Sequence, residues 1–298
     1  MNSFVPNIQN KQRTEYADVI SAIMLIFMVY THCAQIFKWT DSIFYVNSFY
    51  MFGSYMVWFF FKAGMFYKEK PMNDCLISSY KRLIVPYIYW MLIGFIVLII
   101  SDYFKGQSET ILYYIRTNIS GCIKTGAGAA NLPLWFLVTL FICRMTYNMA
   151  QSKLPSPVIC AFSFIVAFIL YCVGDFKPYW IPNSLCAIGF YSLGFILKDY
   201  KLSKSLFVVI LLFYILISVF QFSAVDFRTN NLVKGYYFLW IIQSFISVEL
   251  FIYVFCKLGR GNTGLIWNIF KNIGKNSMII YVAHWPLLII IKLLLFYL

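Results

Sequence analysis

The chain has 298 residues, of which 61% are hydrophobic and 12% are charged, and its mean hydropathy is +0.75. A soluble domain is typically about 45–50% apolar and about 25% charged, so this composition excludes an ordinary soluble globular protein. In a soluble chain the net charge of +13 would suggest nucleic acid as a partner, but here the basic residues lie in short loops between apolar segments. That placement predicts membrane lipids as partners and no nucleic acid.

Long apolar segments follow one another along the chain. A membrane-spanning helix needs about 20 apolar residues, and its backbone hydrogen bonds are satisfied within the segment. A weakly apolar stretch at 110–130 is a tenth candidate beside nine clear segments: 17–37, 43–61, 83–101, 132–150, 158–174, 184–197, 205–222, 236–256 and 277–297. We therefore predict an all-α fold, a polytopic transmembrane helical bundle of nine to ten spanning helices. Residues 1–298 are expected to form a single integral-membrane domain.

The basic residues divide unequally between the two sides of this predicted bundle. Alternating the loops places sixteen of the 24 lysines and arginines on the side of the N-terminus and seven on the other. Basic loops are retained in the cytoplasm, so we predict a cytoplasmic N-terminus in a multi-pass protein of the inner or plasma membrane. None of the eight cysteines forms a C-x-x-C pair, so we expect neither a metal site nor a disulfide framework.

The first apolar segment carries two ionisable residues on one face. Asp18 and His32 are fourteen positions apart, which at about 100° per residue places them about 40° apart around a helix, with Ser21 beside them. His32 lies about 21 Å further along the axis. A polar stripe of this length predicts a helix face that lines a protein cavity rather than lipid.

Two more ionisable side chains, Glu249 and His284, lie inside later segments, where charge costs several kcal/mol unless it is partnered or hydrated. The chain has two histidines in all. His32 is either a general base, since neutral imidazole takes a proton near neutral pH, or an interfacial side chain. Asp18 is either a site residue or a helix-start carboxylate. Glu249 and His284 are either packing residues or site residues, with His284 expected at the inner end of the last helix.

The 62–82 loop carries five basic residues, which either set topology and contact lipid or bind an anionic group. They are Lys62, Lys68, Lys70, Lys81 and Arg82.

Several motifs occur in the order typical of one family. Arg13, Asp18 and His32 follow the pattern of an arginine, an acidic stretch and a first helix that ends in histidine. The later matches are FFFKAGMFY at 59–67, KRLIVPYIYW at 81–90, LPLWFLVTLF at 132–141, FYSLGFILKD at 190–199 and GKNSMIIYVAH at 274–284. Over residues 13–284 the chain thus resembles the membrane-bound acyltransferase 3 family, in its fucose 4-O-acetylase-like sugar O-acetyltransferase branch.

Three positions depart from the family pattern. The family often has a basic residue and a glycine where this chain has Ser21 and Ala22, and a serine where it has Ala63. The missing basic group is one implied to hold the acyl donor, and Arg13 or Lys62 is its candidate substitute.

The resemblance implies an enzyme of the bacterial cell envelope that uses acetyl-CoA, or another acyl-CoA, as donor substrate and binds no permanent cofactor. Lys81 and Arg82, with Arg13 and Lys62, are expected to hold the donor, and Asp18 to orient a basic neighbour. His32 would deprotonate a carbohydrate hydroxyl. The candidate substrate-binding residues are Trp135, Glu249 and His284, although Trp135 is equally explained as an interfacial anchor.

Two other functions compete with acyl transfer. A transporter or flippase for polysaccharides or lipid-linked sugars would also have many helices and a few polar groups in the membrane, but such proteins often carry inverted repeats and the sequence shows none. A non-catalytic relative would explain Ser21 and Ala63 but not the retained His32. The acceptor sugar and the formation of homo-oligomers are left open.

Overall fold

Helices make up nearly all of the molecule. The computed structural model describes residues 8–39, 55–107, 109–174, 176–259 and 264–296, with the backbone alone for 8–14. The helices are α1 (Ile8–Phe37), α2 (Tyr55–Met65), α3 (Met72–Ser79), α4 (Val85–Phe104), α5 (Ile111–Thr125), α6 (Trp135–Gln151), α7 (Ser156–Val173), α8 (Trp180–Leu197), α9 (Lys204–Phe220), α10 (Tyr237–Leu258), α11 (Leu265–Lys275) and α12 (Ser277–Phe296). A π-helix at Tyr80–Ile84 joins α3 to α4, and a 3₁₀-helix at Ala129–Leu134 precedes α6.

The prediction of an all-α polytopic membrane protein is confirmed. Within the described residues, seven helices are long and apolar enough to cross a membrane. They are α1, the continuous α3–α4 run, the α5–α6 run, α7, α8, α10 and α12. Helix α9 is apolar but shorter, and α2 is described only from Tyr55 onward. The 184–197 segment is part of a longer helix than we predicted, because α8 begins at Trp180 and takes in polar Asn183.

Besides α3 and the π-helix, which lead into the segment predicted at 83–101, two described elements lie outside the predicted segments. The first is a two-stranded antiparallel hairpin, β1 (Ala224–Asp226) and β2 (Asn231–Lys234). The second is α11, whose apolar residues lie on one side of the helix and whose start is exposed at Leu265 and Ile266. Neither element has a long apolar run, which is the feature that identified the other segments.

The first and last helices run in the same direction. Gly274 packs so closely on the backbone of Asp18 that a Cβ would collide with the Asp18 carbonyl, and a small residue allows this approach. Further along, His32 meets His284, and the Lys292 ammonium donates to the Ile36 carbonyl. We call the side where α1 begins the N-side and the side where it ends the far side.

Helix α5, the tenth candidate span, starts and ends on the far side. At its start, the Tyr114 hydroxyl bonds the Asp102 carboxylate at the end of α4. At its end, the Ile123 carbonyl accepts from Trp180 Nε1 at the start of α8. Because both ends of α5 reach far-side elements, α5 lies along the far side rather than across the bundle.

The hairpin is fastened to the helix bundle on the far side. Asn230 adopts a left-handed conformation at φ 56°, and its amide donates to the Ala167 carbonyl of α7. The Tyr237 hydroxyl donates to Asn230 Oδ1 at 2.6 Å, and the Asn183 amide of α8 donates to the Arg228 carbonyl at 3.0 Å. Phe227 is buried, with its ring 5.2 Å from that of Phe60. The turn between β1 and β2 is therefore held rigidly against the core.

Candidate active site

A cavity of about 360 Å³ lies in the far-side half of the bundle. Five parts of the chain line it: α1 with His32 and Gln35, the start of α2, the start of α6 with Trp135, the hairpin with Asp226 and Arg228, and α12 with Tyr281 and Trp285. The volume falls within the range of small-molecule sites, about 300–1,000 Å³. The polar stripe of α1 therefore faces a protein-lined cavity at His32, as the sequence predicted.

The two histidines of the chain form a hydrogen-bonded pair. His32 Nδ1 lies 2.8 Å from His284 Nε2, and the two ring planes are nearly parallel, at 8°, with centroids 5.0 Å apart. His284 Nδ1 lies 2.6 Å from the Tyr281 carbonyl oxygen. A carbonyl only accepts hydrogen bonds, so in a neutral pair His284 Nδ1 carries its proton and His284 Nε2 is an acceptor.

This chain of bonds defines the tautomer of His32. Because His284 Nε2 accepts, His32 Nδ1 must donate, and the remaining nitrogen, His32 Nε2, has a free lone pair. The Tyr281 carbonyl thus orients His284, and His284 orients His32. A chain of hydrogen bonds of this kind is typical of the arrangement that orients a general base. His32 is thus prepared to accept a proton rather than to donate one.

Aromatic side chains form one wall of the cavity. The Trp135 ring lies 6.0 Å from that of Phe227 at an interplanar angle of 25°, and Trp285 meets His32 edge-on at 5.5 Å. The buried Tyr281 hydroxyl donates to the Pro133 carbonyl, which joins α12 to the start of α6. Flat apolar faces beside polar groups suit the binding of a sugar ring or of an acyl chain.

Asp18 and Lys62 meet on the N-side, away from the cavity. Lys62 Nζ lies 3.1 Å from Asp18 Oδ1 and 2.8 Å from Ser21 Oγ, which also accepts from Trp58 Nε1. Both charged side chains are less than a quarter exposed, at 22% and 16%. Asp18 does pair with a basic neighbour, which is Lys62, and the structure does not bring it to His32.

The loop after α2 is held in place on the N-side. The Tyr67 hydroxyl donates to Asn148 Oδ1 at 2.8 Å, and the Asn148 amide donates to the Lys70 carbonyl. Burial, with a smaller contribution from the Glu69 carboxylate, raises the pKa of Tyr67 to about 12. The phenol therefore stays protonated and keeps donating to Asn148, which in turn holds the backbone of Lys70.

The other predicted donor residues also belong to the N-side. Lys81 and Arg82 are exposed on the π-helix between α3 and α4. Such helices frequently occur at functional sites. The side chain of Arg13 lies outside the described residues.

The three predicted substrate residues differ in position. Trp135 lines the cavity, and His284 lies directly behind His32. The prediction that His284 lies at the inner end of the last helix is wrong: it is seven residues beyond Ser277, where α12 begins, or about 10 Å along the axis, and is level with His32. Glu249 is 8% exposed on α10 and does not line the cavity.

The sequence analysis did not identify Arg228 and Asp226 as site residues. Both come from the hairpin, and Asp226 accepts from the Arg228 backbone N–H and from the Thr229 hydroxyl, each at 3.0 Å. Asp and Thr spaced in this way are typical of turns. The sequence therefore predicts a tight turn there, but it does not predict that the turn lies beside His32. Among the described residues, no three His, Cys, Asp or Glu side chains are grouped as metal ligands would be.

Comparisons with known proteins support one assignment. A family model described as an acyltransferase domain matches residues 14–298, nearly the whole chain. No curated protein and no solved structure matches it.

Proposed function

The chain belongs to the acyltransferase 3 family, and we propose that it transfers an acetyl group from cytoplasmic acetyl-CoA to a hydroxyl of a cell-envelope carbohydrate. The family supports acyl transfer in general and a multi-pass membrane protein. The donor, the acceptor, the roles of individual residues and the place in a sugar O-acetyltransferase branch are our proposal.

The single observation that carries the mechanism is the bond from His32 to His284 inside an aromatic cavity. His32 Nε2 takes the proton of the acceptor hydroxyl, and the hydroxyl oxygen attacks the thioester carbonyl carbon. The carbon–sulfur bond then breaks, and the proton passes from His32 to the leaving thiolate. The products are the O-acetyl ester and free coenzyme A, and His32 returns to its starting state.

The N-side basic residues suit the donor. Coenzyme A is polyanionic, and Lys81, Arg82 and Lys62 lie on the side that we predict to be cytoplasmic. Lys62 Nζ contacts Ser21 Oγ at 2.8 Å, so its ammonium occupies the neighbourhood of the position where the family often has a basic residue. His32 follows Ser21 by eleven residues, or about 16 Å along the helix, a gap suited to the extended pantetheine arm.

The acceptor would enter from the far side. Trp135 offers a ring face to a sugar, and Gln35 lines the same cavity as a neutral hydrogen-bonding group. With the N-terminus in the cytoplasm, as the basic residues predict, the far side faces the envelope, where surface carbohydrates are found. The reaction would thus join a donor from one side of the membrane to an acceptor on the other.

The test is transfer of labelled acetyl from acetyl-CoA to envelope glycan in membranes that contain the full chain. Replacing His32 with alanine removes the base and is expected to lower the rate by about 10²–10⁴-fold or more. Cys33→Ala is the matched control, because this thiol is on the same turn of α1 and does not line the cavity. We expect the control to keep its activity and both variants to insert normally.

Near-normal transfer by His32→Ala would refute the base assignment. If the wild-type chain transfers no label but moves glycan across the membrane, the transporter alternative is correct instead.

A further inference from the structure

Arg228 is the one lysine or arginine among the described residues that line the cavity, and the resemblance assigns it no role. It reaches the cavity from the hairpin turn rather than from a helix. We propose that Arg228 recognises a negatively charged group of the acceptor, a carboxylate or a phosphate close to the hydroxyl that is acylated. This inference rests on the proposed function and adds the chemical class of its acceptor.

The backbone around Arg228 is held in place. Its carbonyl accepts from the Asn183 amide, and its N–H donates to Asp226. On one side Phe227 is buried against the Phe60 and Trp135 rings, and on the other Asn230 is tied to α7 and α10. Because the backbone is already ordered, only the side chain of Arg228 loses conformational entropy when it binds a ligand.

The charge of Arg228 is available to a ligand. No ion pair within the described residues involves it. The nearby carboxylate of Asp226 uses one oxygen for the Arg228 backbone N–H and the other for the Thr229 hydroxyl. Asp226 therefore shapes the turn, while the Arg228 guanidinium keeps its donors for a planar anion, which it binds with two parallel hydrogen bonds.

Lysines also lie near the cavity on the far side. Lys292 donates to the carbonyl of Ile36, the residue next to the cavity-lining Gln35. Lys38 and Lys105 lie within electrostatic range of Lys292, although Lys105 is partly neutralised by Asp102 at 3.2 Å. Positive charge close to the cavity would favour an anionic acceptor over a cationic one.

A second role for Arg228, stabilising the charge of the thioester carbonyl during attack, makes a different prediction. That role would apply to every acceptor equally, whereas recognition of the acceptor discriminates between charged and neutral acceptors. The experiment therefore measures a ratio of rates rather than a single rate.

Envelope glycan from source cells that lack this chain is prepared in three forms: untreated, carboxyl-reduced with carbodiimide and borohydride, and dephosphorylated with hydrofluoric acid. Each form receives labelled acetyl from acetyl-CoA in membranes that contain the wild-type chain, Arg228→Gln or Arg116→Gln. Arg116 is the matched control, since it is an exposed arginine of the far-side helix α5 and does not line the cavity.

We expect one treatment to lower wild-type transfer at least about tenfold, the size of a lost charge-assisted bond. Loss after reduction identifies a carboxylate, and loss after dephosphorylation identifies a phosphate. In Arg228→Gln the ratio of untreated to treated glycan falls toward one, and Arg116→Gln keeps the wild-type ratio. Arg228→Lys keeps the charge but lacks the planar guanidinium, so it is expected to give an intermediate ratio. It replaces the glutamine variant in the test if that variant fails to fold.

Equal wild-type transfer to all three forms would overturn this inference and leave the acyltransferase function standing. An equal loss on all three forms in Arg228→Gln would also overturn it, in favour of the transition-state role. Absence of transfer to any form by the wild-type chain would instead overturn the proposed function.

Discussion

At the scale of single residues, two histidines 252 positions apart form one hydrogen-bonded pair. His32 faces the cavity, while His284 is 4% exposed and is held by the Tyr281 carbonyl. In the mechanism that we propose, His284 is therefore a positioning residue that acts through His32. Without this fixed partner, the His32 imidazole could rotate and could carry its proton on either nitrogen.

Replacing His284 with alanine is expected to lower kcat about 100-fold, because His32 loses the acceptor that fixes its tautomer. His284→Gln, whose amide oxygen can accept from His32 Nδ1–H, should recover part of the loss. The measurement is acetyl transfer against pH, since a changed partner moves the acid limb of the profile, which a general loss of folding would not do. Leu287→Ala, on the exposed face of α12, should behave like the wild type.

An unchanged pH profile in an alanine variant that is uniformly less active would show that His284 only supports the fold. Equal activity of the alanine and glutamine variants would lead to the same conclusion.

At the scale of elements, an ion pair joins α1 to α2 on the N-side. The two helices meet through Lys62 and Asp18, with Ser21 and Trp58 completing the hydrogen bonds. The pair stabilises the helix contact, and under the proposed function it also supplies a positive charge for the donor. A variant that removes both charges separates the effect on stability from the effect on donor binding, because it leaves no charge without a partner.

Lys62→Met is expected to raise the KM for acetyl-CoA about tenfold and to lower the free energy of unfolding by about 1–3 kcal/mol, since Asp18 loses its partner. Asp18→Asn combined with Lys62→Met should restore most of the thermal stability but not the donor KM. Donor titrations and melting of the detergent-solubilised chain provide both readings. Recovery of KM together with stability would mean that Lys62 only holds the two helices together.

At the scale of the whole molecule, the two ends of the bundle have different chemistry. The N-side carries the exposed Lys81 and Arg82 and the Lys62–Asp18 pair, whereas the far side carries the hairpin and the cavity. For helix α5, the contacts at its two ends place it along the far side, whereas its hydropathy also allows a membrane span.

We predict that Glu109→Cys and Lys124→Cys, at the two ends of α5, both react with a membrane-impermeant maleimide from outside the cell. Lys70→Cys, on the N-side, should react only after permeabilisation. The labelling is done in spheroplasts with the eight native cysteines replaced. If Lys124→Cys behaves like Lys70→Cys, α5 crosses the membrane and the bundle has ten spans; if all three reactions are reversed, the N-terminus is outside.

The sequence by itself determined most of the membrane helices, and it named His32, Trp135 and His284, which the structure brings together at the cavity or directly behind it. Apolar runs predict membrane helices because burial in lipid depends on local composition, and the spacing of Asp18, Ser21 and His32 places them on one face because a helix has a constant turn per residue. Segment 110–130 was undecided for the same reason: its weak hydropathy fits either a span or a helix on the far side.

Only the tertiary structure decided what each polar face meets. Periodicity shows that a face of α1 is polar but does not say which distant segment lies against it. Nothing local predicts that His284 supports His32, that Lys62 pairs with Asp18, or that a turn between α9 and α10 brings Arg228 into the cavity. These contacts arise from the packing of helices that are far apart in the chain, so their chemistry appears only once the bundle is assembled.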